Sequence, residues 1–169
     1  MRNARLVLSA VVATGLAACS TILLGPDFED EFVTVGSCAD VFFFAVDSVD
    51  QVMLTFSVQG LVAQARAASD TVTTTYDLPD GDVTLIVEQG SRISDAMCDD
   101  VIENGGPRVS RTWQAVAGRA TVTIRPGEDM FDNRGDLVLE DVVFEDDEGH
   151  RRTVESLTWI DSSVGWFPG

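Results

Sequence analysis

The chain has no lysine: its eleven basic residues are all arginine, set against 28 aspartates and glutamates. It has one histidine, His150, and three cysteines with no C-x-x-C spacing. Each shortage removes a class of chemistry. A histidine-rich zinc site needs several imidazoles. A Ser-His-Asp device would have to use His150, which lies in the charged stretch EDDEGHRR, and no G-x-S-x-G elbow supplies the serine. The P-loop, H-E-x-x-H and G-x-G-x-x-G patterns are absent too. A formal charge of −17 repels polyanions, which excludes nucleic acid as a partner. No apolar run is long enough for a resident membrane helix: the longest, residues 6–18, falls short of the roughly 20 residues a span needs.

That run has a different meaning. Arg2 and Arg5 precede it as a short basic region, and small residues end it, as in a cleaved secretory signal. Its last residues are Leu16-Ala17-Ala18-Cys19. Leucine, two small residues and cysteine at the end of a signal of this length resemble the lipobox of bacterial lipoprotein precursors. The resemblance covers the first nineteen residues only. It implies cleavage before Cys19, a diacylglyceryl group on Cys19 Sγ, and acylation (palmitate-type) of the new amino terminus. Ser20 is similar to the residue that follows the cysteine in outer-membrane-directed lipoproteins, which implies the cell envelope and its outer membrane over its inner one. Two or more acyl chains hold a protein firmly at a bilayer, so the membrane is a partner through lipid and not through charge.

Residues 1–18 are thus read as signal peptide, 19–36 as a lipidated tether and 37–169 as one β-rich domain. Removing the signal leaves 151 of 169 residues, enough for one real core, and takes away Arg2 and Arg5 but no acid, so the charge becomes −19. Such a charge keeps an exported domain soluble. With Cys19 lipidated, Cys38 and Cys98 are left in a compartment where disulfides persist, and they are expected to pair. The bridge closes a loop of about 60 residues, worth roughly 4 kcal/mol in the chain-entropy model.

From residue 40 the pattern has period two. Val52, Leu54, Phe56 and Val58 share one face, and so do Ala120, Val122 and Ile124. Residues 41–47 (VFFFAVD) are apolar on both faces, as in a strand covered on both sides or under a loop. Segments 71–78 and 83–87 flank Pro79-Asp80-Gly81-Asp82 and read as a hairpin. Further strands are expected over 108–116, 119–125, 137–144 and 151–160, with an acidic turn at 145–149. Residues 60–68 and 92–103 break the pattern and suit short helices or irregular segments. The fold class is mainly β: an antiparallel β-sandwich, preferred over a barrel, of about seven or eight strands with one or two short helices or irregular segments.

Most carboxylates fall in expected turns, where solvation explains them. The best cation candidate is the loop 126–136, whose Glu128, Asp129, Asp132, Asn133 and Asp136 offer the oxygen ligands calcium takes, without matching an EF-hand. Glu145 to Glu148 is the second cation candidate and is read in preference as a plain solvated turn, and His150 as a solvated turn histidine. Trp159 and the terminal Trp166 and Phe167 suit either a core edge or a docking surface. No catalytic residues and no resident cofactor are assigned; calcium is the one candidate ion. The sequence therefore points to a membrane-anchored envelope lipoprotein with a non-enzymatic structural or protein-binding β domain, its partner another envelope protein. The alternatives are a calcium- or carbohydrate-binding module and, after it, a hydrolase of envelope polymers using two carboxylates in a cleft.

Overall fold

A computed structural model describes residues 28, 32–95, 97–98, 105–129 and 131–165. The signal region, the lipobox with Cys19, and Trp166 and Phe167 lie outside the described residues. The elements are β1 (Phe32–Cys38), β2 (Val41–Asp47), β3 (Val52–Val58), α1 (Leu61–Ala68), β4 (Val72–Asp77), β5 (Val83–Ser91), β6 (Arg108–Arg125), β7 (Arg134–Glu145) and β8 (Arg151–Ser163). The fold is mainly β and antiparallel, as expected. All eight strands belong to one sheet, in the order β1-β2-β3-β5-β6-β7-β8, with β4 added on β6.

The sheet curls around one core and nearly closes. Where β8 meets the other edge, Ser37 Oγ donates to the Ser163 carbonyl at 2.7 Å, and the Trp159 indole N–H donates to the Phe44 carbonyl at 3.0 Å. The period-two faces point inward as expected: Leu54, Phe56, Val122, Ile124, Leu137 and Leu139 are fully buried. Neighbouring strands run in opposite directions, so the domain has two ends. The base gathers Phe32, Asp47, Ser91, Arg108, Glu145 and Arg151, placed there by strand register. At the opposite end α1 turns its Leu61, Val62 and Ala65 into the core, entered through Gly60 at φ +83°.

The expected hairpin does not form. β4 pairs with residues 119–124 of β6, and β5 pairs with 108–114 of the same strand, while β5 also pairs with β3. The Pro79–Asp82 turn is a jog along one edge of β6, not a reversal. The cause is the length of β6: eighteen residues offer two successive docking segments, and register shifts between Ala115 and Arg119 bend the strand where the jog occurs. Gly118 sits in that bend at φ +114°, and a Cβ there would lie 2.6 Å from Val142 Cα. Gly81, in the jog, has no positive φ.

The helix expected over 60–68 is α1. The second helical candidate, 92–103, forms turns over its described residues 92–95 and 97–98. Those turns cross the outer face of the sheet, where Ile93 and Met97 pack on Phe44, Val46 and Met53. That covering explains why VFFFAVD is apolar on both sides. Cys98 ends the crossing in a disulfide to Cys38, with Cα atoms 5.9 Å apart, as expected from the cysteine count.

The expected boundary at residue 36 moves towards the amino terminus. β1 begins inside the stretch read as tether, and Phe28 is buried completely against Trp113 and Phe144. An acidic, mixed stretch (DFEDEF) hides its two inward aromatics, four residues apart.

Candidate functional site

Two clusters of titratable groups stand out among the described residues. The first surrounds the loop after β6. Arg125, at the end of β6, faces Asp136 across the β6–β7 ladder, and its Nη2 lies 2.9 Å from Asp136 Oδ1. The same nitrogen reaches Asp161 Oδ1 at 3.2 Å. Asp136 Oδ1 also accepts from the Asp161 N–H at 2.7 Å, where Asp161 holds a positive φ of 53° opposite a register shift. The guanidinium hydrogen bond holds the Asp136 carboxyl below the usual carboxylate range, with burial opposing it more weakly. The carboxylate in turn raises the Arg125 pKa.

Asn133 is fully buried in the same loop. Its Oδ1 accepts from Arg66 Nη1 and from the Gly127 N–H, each at 3.3 Å. Arg66, from the last turn of α1, also donates to the Asp129 carbonyl. The Asp129 carboxylate accepts from the Phe131 N–H at 2.8 Å. Of the five residues offered as a calcium set, three have partners within the protein: Asp136 meets Arg125, Asn133 meets Arg66, and Asp129 accepts within its own turn. Glu128, Asp129, Asp132 and Asp136 do not bring three carboxylates within ligating distance of one another; the group of that kind found among the described residues lies elsewhere.

It is the second cluster, at the base, in the β7–β8 turn. Asp146, Glu148 and His150 place one ligand atom each within 4.8 Å of the others. Asp146 is buried, which corrects the expectation of a plain solvated turn. Its Oδ1 accepts from the Glu148 N–H at 3.0 Å and the His150 N–H at 2.8 Å, an aspartate turn closed on itself. His150 Nδ1 lies 2.9 Å from Oδ2, though the ring is 59% exposed. Burial pushes the Asp146 carboxyl up, but the hydrogen bonds from His150 and Glu148 together outweigh it, so its pKa lies below the ordinary value. Arg111 from β6 reaches Asp146 at 3.5 Å and Glu148 at 3.2 Å. A cation would have to displace that guanidinium. The arrangement is therefore a salt-bridged turn that ties the β7–β8 corner to β6.

An open groove of about 560 Å³ runs beside this turn, lined by Ser110, Arg111, Thr112 and Gln114 of β6 and by Glu145, Asp146 and Asp147. Its walls carry hydroxyls, an amide, the Arg111 guanidinium and carboxylates, of which Asp146 is buried. Of the aromatics that suit stacking or docking, Trp159 is 1% exposed and belongs to the core. Arg111, Arg66 and the burial of Asp146 were not singled out from the sequence. The Asp146-x-Glu148-x-His150 spacing carries a signal for a turn, none for its burial. No known family model, curated protein or solved structure matches this chain.

Proposed function

We propose that the chain is a lipid-anchored protein of the bacterial cell envelope whose β domain is a non-enzymatic structural or protein-binding module. The observation that carries this reading is Leu16-Ala17-Ala18-Cys19 at the end of an apolar run of signal length. The domain's chemistry supports it. The charged groups with shifted pKa values, Asp136, Arg125 and Asp146, are engaged in ion pairs that pin a bulge and a turn. Asp146 also lines the open groove beside the β7–β8 turn, but ion pairs that serve structure shift carboxylates in the same way. The disulfide between β1 and the crossing segment suits an oxidising compartment.

Cell fractionation of Cys19→Ala tests the reading. Release from the membrane fraction, with loss of the acyl mass from the mature protein, is expected. Unchanged membrane association and processing would overturn it. Cross-linking in intact cells then reports which envelope protein, if any, lies against the domain.

A further inference from the structure

We infer that the base of the sheet faces the lipid surface, because Phe28 docks the lipidated leader there. This rests on the reading of Cys19 as the anchor. Phe28 is wholly buried, edge-on to Trp113 at 5.2 Å and to Phe144 at 5.7 Å, with its ring 6.3 Å from that of Phe32. The Arg152 guanidinium lies over the Phe28 ring, 3.7 Å from its centroid. Phe144 pairs with Arg152 at the start of β8, and Phe32 opens β1, so Phe28 enters the core at the base. It stands nine positions after Cys19. Fully extended, that stretch reaches about 32 Å at most. The opposite end lies a strand length further away.

The arginines are biased towards that end. Of the nine arginines left after signal removal, Arg92, Arg108, Arg111, Arg151 and Arg152 stand at the ends of β5, β6 and β8 that form the base. Of the acids there, Asp95 pairs with Arg92, Asp146 and Glu148 with Arg111, and Glu145 with Arg151, while Asp47 and Asp50 accept from backbone N–H groups and Asp147 stands in the β7–β8 turn. The opposite end carries Asp70, Glu128, Asp129 and Asp132 in loops, together with Arg66, Arg125 and Arg134, beside Phe131, which is 42% exposed. This orientation turns the Glu128, Asp129 and Asp132 loop away from anionic headgroups.

The test uses the full-length lipidated protein in phospholipid nanodiscs that contain a gadolinium-chelating lipid. Paramagnetic relaxation of backbone amides is read at Arg108, Arg111 and Arg151 and at Ala65, Ser69 and Phe131. The expected enhancement is on the order of tenfold or more larger at the base, because strands of this length separate the ends by tens of ångströms. Equal or larger enhancement at Ala65 and Phe131 would overturn the orientation. A flexible insertion of about 20 Gly/Ser residues between Cys19 and Phe28 leaves the folded part untouched and is expected to erase most of the contrast. Its persistence would show that the leader does not set the orientation. Intact mass of the same sample separates the two readings. Absence of the lipid adduct overturns the anchor, whereas an adduct with a flat relaxation profile overturns only the orientation.

Discussion

Arg125 lies bidentate on Asp136, and through that carboxylate it fixes the backbone of a strand that is not its own. Asp136 uses one oxygen for Arg125 Nη2 at 2.9 Å and for the Asp161 N–H at 2.7 Å. A residue offered for calcium is therefore spent on holding the bulge in β8 that turns Ile160, 75% exposed, outward. Such a bulge blunts an edge that would otherwise pair with another strand.

Asp136→Asn is expected to lower stability by about 1 kcal/mol, because the pair is partly exposed and solvent screens it. Asp136 and Asp146 both have folded pKa values below their unfolded ones. Their contribution is fully present above the unfolded carboxylate value of about 4 and is lost as pH falls through the lower folded values. Urea midpoints should be level from neutral pH to about pH 5 and decline below about pH 4, less steeply in Asp136→Asn. A variant that declines as steeply as the parent would show that the pair does not supply this dependence.

The strands were legible because period two survives in Val52 to Val58 and in Ala120 to Ile124, where one face is wet or loop-covered and the other dry. Their partners were not. Pro79-Asp80-Gly81-Asp82 reports a local change of direction, and nothing near it in sequence reports that β6 is long enough to take β4 and β5 in line. Phe28 was hidden by its acidic neighbours, although its spacing from Phe32 was available. The burial of Asp146 depends on Arg111, 35 positions away, which no local pattern announces. Cys38 and Cys98 were legible because only two thiols remained to pair.

Replacing Cys38 and Cys98 by alanine should cost roughly 4 kcal/mol, the closure entropy of a loop spanning 60 positions. The loss should be concentrated in the crossing segment. Ile93 and Met97 would no longer be held over Phe44 and Met53, and amide exchange at residues 92–98 should accelerate more than in β6 or β7. A change below about 1 kcal/mol by urea unfolding would mean that packing alone holds the segment.

Two glycines separate the bend from the jog. Gly118→Ala places a Cβ 2.6 Å from Val142 Cα and 2.8 Å from the Asp141 carbonyl at φ +114°. It should destabilise by about 2 kcal/mol or more, since both the strain and the overlap involve backbone. Gly81 has open space around its Cβ position and no positive φ, so Gly81→Ala should be neutral or stabilising by up to about 1 kcal/mol. Thermal melts of the two variants decide the point. Equal losses would mean that the Pro79–Asp82 jog is as constrained as the bend.

Calcium is the remaining discriminator between a structural or protein-binding module and a cation-binding one. In the loop after β6, Asp136, Asn133 and Asp129 of the five candidates already serve Arg125, Arg66 and a backbone N–H, and in the β7–β8 turn Arg111 supplies the positive charge. A site-bound ion stabilises the folded state in proportion to the logarithm of its concentration over Kd. Titration from chelator to millimolar calcium is accordingly expected to leave the melting temperature level. A rise that grows with the logarithm of calcium concentration and disappears in Asp136→Asn would restore the loop as a site. The same rise abolished by Asp146→Asn would place the ion in the turn, and either result would overturn the assignment of these carboxylates to internal ion pairs.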